Sequence, residues 1–252
     1  MLAILSPAKN MKEGCSPMGE TVPIFAHRAE SLQERIRALS PWEIESAMRV
    51  SPQLAMKAFA LHQSFAQAIP RPAAFSYDGL AYRSLDAATL GEEALLSLQA
   101  RVRILSALYG VLRPLDGIRP YRLEMACRVR VEGKSLYAYW GGDIARALYA
   151  QTDVVVNLAS EEYASAVRPH VPTHGRLIDV EFQMPHKGRL RVLPTYAKMA
   201  RGRMARFIAV HAVDDPDDLR GFCEDGWQID PVRSLGNRMI FTRQAPVSTP
   251  ED

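Results

Sequence analysis

The chain opens on MLAIL, an apolar run stopped by Ser6-Pro7, which predicts a short buried strand ending in a loop that carries Lys9 and Asn10. Apolar residues then recur at helical spacing over residues 26–39, at Ala29, Leu32, Ile36 and Leu39. Ser40-Pro41 and Ser51-Pro52 each pair an N-cap residue with a first-turn proline, so two more packing helices are expected, the second over 54–69. Past the break at Pro70 to Pro72, FSYDGLAYRSL reads as strand or turn. Gly91-Glu92 then opens a helix expected to reach Ser106 through Leu95, Leu98, Val102 and Leu105. CRVRVEGKSLY alternates around Glu132-Gly133-Lys134, a hairpin pattern; residues 140–149 predict a helix and 154–158, VVVNL, a buried strand. The last third predicts short strands at 177–182 and 189–194 joined by a turn at 186–188, a helix over 197–211, and a closing hairpin around Leu235-Gly236-Asn237.

Helices and strands are interspersed with no linker-like change of composition and no internal repeat. The reading is therefore one α+β domain over residues 1–245, a central sheet flanked by helices, with a flexible tail at 246–252. No apolar run approaches the roughly 20 residues of a membrane-spanning helix, and no basic stretch leads into a sustained apolar one at the start, so a cytoplasmic protein without a membrane partner is expected, and a monomer is favoured. Cys15, Cys127 and Cys223 are odd in number, far apart and form no CxxC, which argues against a disulfide framework or a zinc site and for reduced, partly buried thiols.

The net charge of +3 hides an uneven distribution. Residues 101–130 hold seven arginines against Asp116 and Glu124, and residues 182–213 hold seven cations and no carboxylate. The next segment, 214–230, carries seven acids. Two basic zones beside an acidic one agree with a polyanion partner, although charge runs are commonly solvated faces.

Residues 103–125, RILSALYGVLRPLDGIRPYRLEM, carry the first chemical pattern. A helix ending at Leu108-Tyr109, a glycine able to take a positive φ at Gly110, and a second segment from Arg113-Pro114 give a helix-hairpin-helix outline. Such a turn presents backbone N–H groups to phosphate, and Arg113, Arg119 and Arg122 add charge that reads no base. An ordinary helical hairpin with a glycine cap accounts for the same pattern.

Two further groups matter. In VVVNLASEEYASAV a buried strand delivers Asn157, Ser160, Glu161, Glu162 and Tyr163 to its carboxyl end, either as a site or as a helix N-terminus capped by Ser160. In TYAKMARGRMARF, Lys198 and Arg201 share a helix side while Arg203 faces elsewhere, and Arg206 completes a four-cation cluster that needs an anion or the acids of residues 214–218 opposite. Phosphate-loop, dinucleotide, serine-hydrolase and zinc-protease signatures are absent. His170 and His174 are separated by Pro172, which disfavours a helical metal pair, so no metal and no cofactor are expected.

Taken in order, SPAKN, LSALYGVLRPLDGIRPYRLEM, LYAYWGG, VVNLASEEY and AKMARGRMARF are long and specific. Through them the chain closely resembles the bacterial peroxide stress protein YaaA family over residues 1–245. Asn10 stands where that family often has Thr, a small departure that keeps a polar group. The resemblance implies a cytoplasmic protein of the peroxide stress response that binds DNA, limits unincorporated iron and so limits iron-driven DNA damage. It also implies a mixed fold with a positively charged cleft and a helix-hairpin-helix element, carried here onto the turn at Gly110. Lys9, Arg113, Arg122, Glu124, Asn157, Ser160, Glu162, Tyr163, Lys198 and Arg201 stand at family motif positions, with no individual roles transferred.

The leading expectation is a DNA-binding stress protein in which Lys9, Arg113, Arg119, Arg122, Lys198, Arg201 and Arg206 gather along one trough for the phosphate backbone. The alternative is an enzyme acting on a nucleotide, nucleobase or damaged nucleic acid. There the same cations hold phosphate, Tyr109, Tyr121, Tyr163 or Trp140 stacks on a base, and Glu124 or Glu162 is the acid or base. Its sign is a deep pocket joining Lys9, Glu124, Asn157 and Glu162. Direct iron sequestration would draw on the acids of residues 214–218, which with Pro216 read as a solvated loop.

Overall fold

The structure, a computed structural model, describes residues 1–12 and 21–243. The expected tail at 246–252 and Cys15 lie outside the described residues. In chain order the central sheet comprises β1 (Leu2–Leu5), β2 (Val102–Ser106), β3 (Gly110–Leu112), β4 (Val154–Asn157), β5 (Arg176–His186), β6 (Arg189–Arg191), β7 (Gln228–Ile229) and β8 (Arg238–Thr242). Their spatial order is β7-β8-β5-β4-β1-β2-β3, with β6 folded back onto the end of β5. β2, β1, β4, β5 and β8 run parallel, while β3, β6 and β7 pair antiparallel with their neighbours. The expected central sheet with flanking helices is present; its parallel middle makes the architecture mixed α/β rather than segregated α+β.

The helices that matter for the site are α1 (Ala26–Arg37), α2 (Pro41–Met48), α3 (Pro52–Gln63), α4 (Leu80–Leu85), α5 (Glu92–Arg101), α6 (Leu136–Trp140), α7 (Asp143–Tyr149), α8 (Glu161–Ala164) and α9 (Pro194–Val210). α1 buries Ala29, Leu32 and Ile36 as its spacing predicts. Ser40 and Glu43 close a full capping box on α2, and Ser51 accepts from the Leu54 N–H on α3. Every residue of β1 is buried, which explains a strand with no polar alternation.

Four sequence expectations are corrected. The helix opened at Glu92 stops at Arg101, and residues 102–106 are the buried strand β2. A strand buried throughout need not alternate, and Val102 and Leu105 extend the apolar stripe of α5, so this one mimics a helix continuation. The turn at Gly110 is consequently a β-hairpin between β2 and β3, with Ser106 opposite Gly110, and not a helix-hairpin-helix element. Ser106 Oγ accepts from the Leu108 and Tyr109 N–H groups at 3.2 and 3.0 Å, so the turn's donors are consumed inside the protein. Gly110 does have the positive φ of 70° that was expected, and a Cβ there would lie 2.7 Å from the Trp140 ring. Finally, the helix expected over 140–149 is two helices, α6 and α7, split at Gly141-Gly142, and the hairpin expected around Gly133 reduces to one bridge between Val131 and Lys134.

Candidate functional site

After β1 the chain crosses to β2 on one side, and after β4 it crosses to β5 on the other, so β1 and β4 flank the point where the strand order reverses. Loops leaving two such strands part from one another and open a crevice at their carboxyl ends. A cavity of about 460 Å³ occupies this crevice, lined by residues 5–10 after β1 and by Leu158, Ser160, Glu162 and Tyr163 after β4. Tyr121 to Glu124 form another wall, residues 78–82 at the start of α4 a third, and Lys198 and Arg201 of α9 the fourth.

The loops are tied at their bases. Ser6 Oγ accepts from the Ser160 N–H at 2.8 Å and donates to Ser160 Oγ at 3.1 Å, which fixes the loop after β1 to the loop after β4. Tyr82 Oη donates to the Ser6 carbonyl at 2.8 Å, adding α4 to the same junction. The Ser160 side chain therefore serves the cavity wall and makes no cap bond to α8, contrary to the capping alternative. Tyr121 Oη is held between Ser106 Oγ and Tyr77 Oη, each at 2.7 Å. Burial pushes the Tyr121 phenol up to about 12 and raises those of Tyr82 and Tyr163 well above the ordinary value, so all three stay protonated.

The charged groups divide into paired and unpaired. Glu124 receives Lys9 Nζ at 2.6 Å and Arg122 Nη2 at 3.2 Å, one carboxylate shared by two cations. Among the described residues Glu162 Oε1 accepts only the Ala126 N–H, at 3.1 Å, and Glu162 is the less encumbered acid. His62, fully buried, sets its Nδ1 2.7 Å from Gln33 Oε1 and its Nε2 2.9 Å from the Arg122 carbonyl, bracing the wall from behind. Arg201 is different: among the described residues its guanidinium makes no hydrogen bond or ion pair, its Nε is buried without a partner as that of Arg122 also is, and burial lowers its pKa against a weaker opposing pull from Glu181. That Glu181 is already engaged by Arg238 at 2.8 and 3.0 Å.

Ten of the expected site residues thus meet at one cavity: Lys9, Asn10, Tyr121, Arg122, Glu124, Ser160, Glu162, Tyr163, Lys198 and Arg201. The others do not. Arg113 is bound to the fully buried Asp116 at 2.9 Å and to the Val22 carbonyl. Arg119 donates to the Ala68 carbonyl and shares a smaller cavity with Tyr109. Arg206 donates to the Leu85 and Asp86 carbonyls at the end of α4, a helix-terminus contact. Trp140 is fully buried with its Nε1–H on the Ala107 carbonyl, and Gly110 packs against its ring, so neither reaches a ligand. Asn157 lies beneath the cavity, joining Asp179 at 2.7 Å to the Ala159 N–H. The single trough of seven cations is therefore not assembled.

Sequence reading missed Ser6, Asp78 and Tyr82 as wall residues. Ser6 stands inside SPAKN, at the strand end that already pointed to Lys9; nothing local marks Tyr82. Cys127, half-buried near Glu124 and Glu162, has its thiol pushed up to about 11 by desolvation, opposite to what a peroxide-reactive cysteine needs. Among the described residues no group of three His, Cys, Asp or Glu side chains is placed to hold a metal ion, and no helix is long and apolar enough to cross a membrane.

A family model described as peroxide stress protein YaaA matches residues 1–233. The UPF0246 protein of Cupriavidus metallidurans is 39% identical over 259 aligned positions, covering 97% of this chain and 99% of its own. That of Ralstonia nicotianae is 40% identical over 257, covering 97% and 100%, and that of Lactiplantibacillus plantarum 38% over 250, again 97% and 100%. With a match of this length, and with the crevice built from the same motifs that carry the likeness, the chain belongs to the peroxide stress protein YaaA family.

Proposed function

We propose that this chain serves the peroxide stress response through the crevice between β1 and β4, which takes a nucleotide unit, free or turned out of a nucleic-acid strand, and acts on it. The observation that carries this reading is the Arg201 guanidinium, lining the cavity with a buried Nε that no described group satisfies. A buried cation without a counter-charge is costly, and an anionic ligand removes that cost. The cavity, about 460 Å³, falls within the size range of small-molecule sites. It is too small for a duplex, but an extruded nucleotide fits this mode of access.

The walls match such a ligand. Tyr82, Tyr121 and Tyr163, with Leu123 and Leu158, supply flat apolar surface for a base, and the cations supply partners for phosphate. Glu162 is suited to accept or return a proton, because among the described residues its carboxylate is held by one backbone donor only. Glu124 is a positioning group that keeps Lys9 and Arg122 at the rim. Protection against iron-driven DNA damage then runs through nucleic-acid components and needs no resident iron. Incubating the protein with nucleotides and short single strands, followed by mass spectrometry of products, tests this. Turnover that is lost in Glu162→Gln while binding persists supports it; equal turnover in both proteins contradicts the assignment.

A second reading, DNA binding through the phosphate backbone, is favoured by the β5–β6 arm. Lys187, Arg189 and Arg191 are exposed there, and none of them forms a salt bridge among the described residues. Charge of this kind reads no base and gives binding that weakens steeply with salt. Reversal of Arg189 and Arg191 to Glu is expected to reduce affinity for every duplex alike; unchanged affinity removes this reading.

A further inference from the structure

We infer that the ligand of this crevice carries a doubly charged phosphate monoester, and that the site distinguishes it from the singly charged diester of an internal nucleic-acid backbone. This rests on the nucleotide reading above and names the ligand more narrowly. The argument is one of charge. Four cationic side chains line the cavity, Lys9, Arg122, Lys198 and Arg201, and three acidic ones, Asp78, Glu124 and Glu162. Asp78 is neutralised from outside the cavity by Arg83, through bonds of 2.8 and 2.9 Å. Four cations against the two remaining acids leave two positive charges.

Those two charges have a location. Glu124 sits with Lys9 and Arg122 on one wall, and Glu162, held by the Ala126 N–H two residues on from Glu124, offsets the cation that Glu124 leaves over. Across the cavity, Lys198 and Arg201 lie one turn apart on α9, and among the described residues neither forms an ion pair. The Ser160 hydroxyl, which accepts from Ser6, keeps its own proton available to a ligand oxygen. Two uncompensated cations and a neutral donor in a partly desolvated site suit a dianion. A monoanion leaves one charge of the pair unanswered.

The second ionisation of a phosphate monoester lies near pH 6, so its charge changes within an accessible range, whereas a diester stays singly charged. Calorimetric titration of the full chain with the four 2′-deoxynucleoside 5′-monophosphates, their 5′-methylphosphate esters and the parent nucleosides, at about pH 7.5 and about pH 5, separates the possibilities. His62 behind Arg122, the two carboxylates and the cations act on ester and monoester alike, so the affinity ratio isolates the phosphate. The expected ratio of monoester to methyl ester is about tenfold or more at the higher pH and narrows towards one at the lower. Lys198→Gln and Arg201→Gln should each shrink it, with circular dichroism confirming that the variants are folded. A ratio near one at both pH values, with the methyl esters still binding, overturns the charge inference and leaves the nucleotide reading standing. Failure of all three ligand sets to bind overturns both. A trinucleotide with a 5′-terminal phosphate tells whether the monoester is a free nucleotide or a strand end.

Discussion

A Cβ placed on Gly202 would lie 1.9 Å from the carbonyl oxygen of Ala81 and 2.7 Å from its carbonyl carbon. α9 thus crosses α4 with backbone against backbone, and this close crossing puts Lys198 and Arg201 over the cavity whose other wall includes Ala81 and Tyr82. Gly202→Ala must push the helices apart. It should cost at least the roughly 1–3 kcal/mol typical of overpacking and weaken nucleotide binding. Gly221→Ala, where a Cβ meets nothing within 4 Å, is the control. Thermal denaturation and ligand titration of both variants check this.

The Ser6 and Ser160 hydroxyls are not equivalent. Ser6 Oγ accepts the Ser160 N–H, so Ser6→Ala strands a part-buried backbone donor and should cost about 1–3 kcal/mol. Ser160→Ala removes only an acceptor for a hydroxyl that can rotate, and its stability cost should be about half as large or less. Chemical denaturation of the two variants should give that order.

His62 makes stability depend on pH. Burial lowers its pKa and the bond to the Arg122 carbonyl partly opposes this, leaving the folded value below the ordinary 6.5. As pH falls through about 6.5 the unfolded chain takes up its proton first, so the contribution is complete above that pH and is lost below it. His62→Gln should be less stable at neutral pH yet lose less stability between about pH 7 and pH 5 than the parent chain. Melting temperatures across that range decide the point.

Cys127 should be a slow nucleophile. With its thiol pushed up to about 11 by desolvation, little thiolate exists at neutral pH, and alkylation of the Cys127 peptide should still be accelerating above pH 9. An inflection in the rate near the ordinary value of about 8.5 contradicts this.

Much of the fold was legible because its causes are local. Ser40 with Glu43, the spacing of Ala29, Leu32 and Ile36, and the unbroken apolarity of residues 2–5 each act within a few residues. Residues 102–106 were not legible as a strand, since the cover that buries β2 throughout, Arg103 and Ser106 included, comes from distant segments, and Val102 and Leu105 also fall on the helical stripe of α5. The site was half visible for a similar reason. Strand ends marked Lys9 and Ser160, because a buried strand fixes where the next side chains emerge. Which cations are spent on a carboxylate depends on what folds opposite them. Asp116 lies three residues from Arg113 and was in plain view, but only its complete burial shows that Arg113 serves it rather than a ligand. Arg206 and Arg201 are five residues apart on one helix, yet one ends on the carbonyls of α4 and the other faces the cavity.

The central claim is that nucleotide binds in the crevice between β1 and β4, and lysine footprinting tests it most directly on the unmodified chain. Lys9 and Lys198 line the cavity, while Lys57, Lys134 and Lys187 are exposed away from it. Acylation rates, read peptide by peptide with and without saturating 2′-deoxynucleoside 5′-monophosphates, should fall at Lys9 and Lys198 and stay unchanged at the other three. Protection confined to Lys187, or spread evenly over all five, would contradict the account.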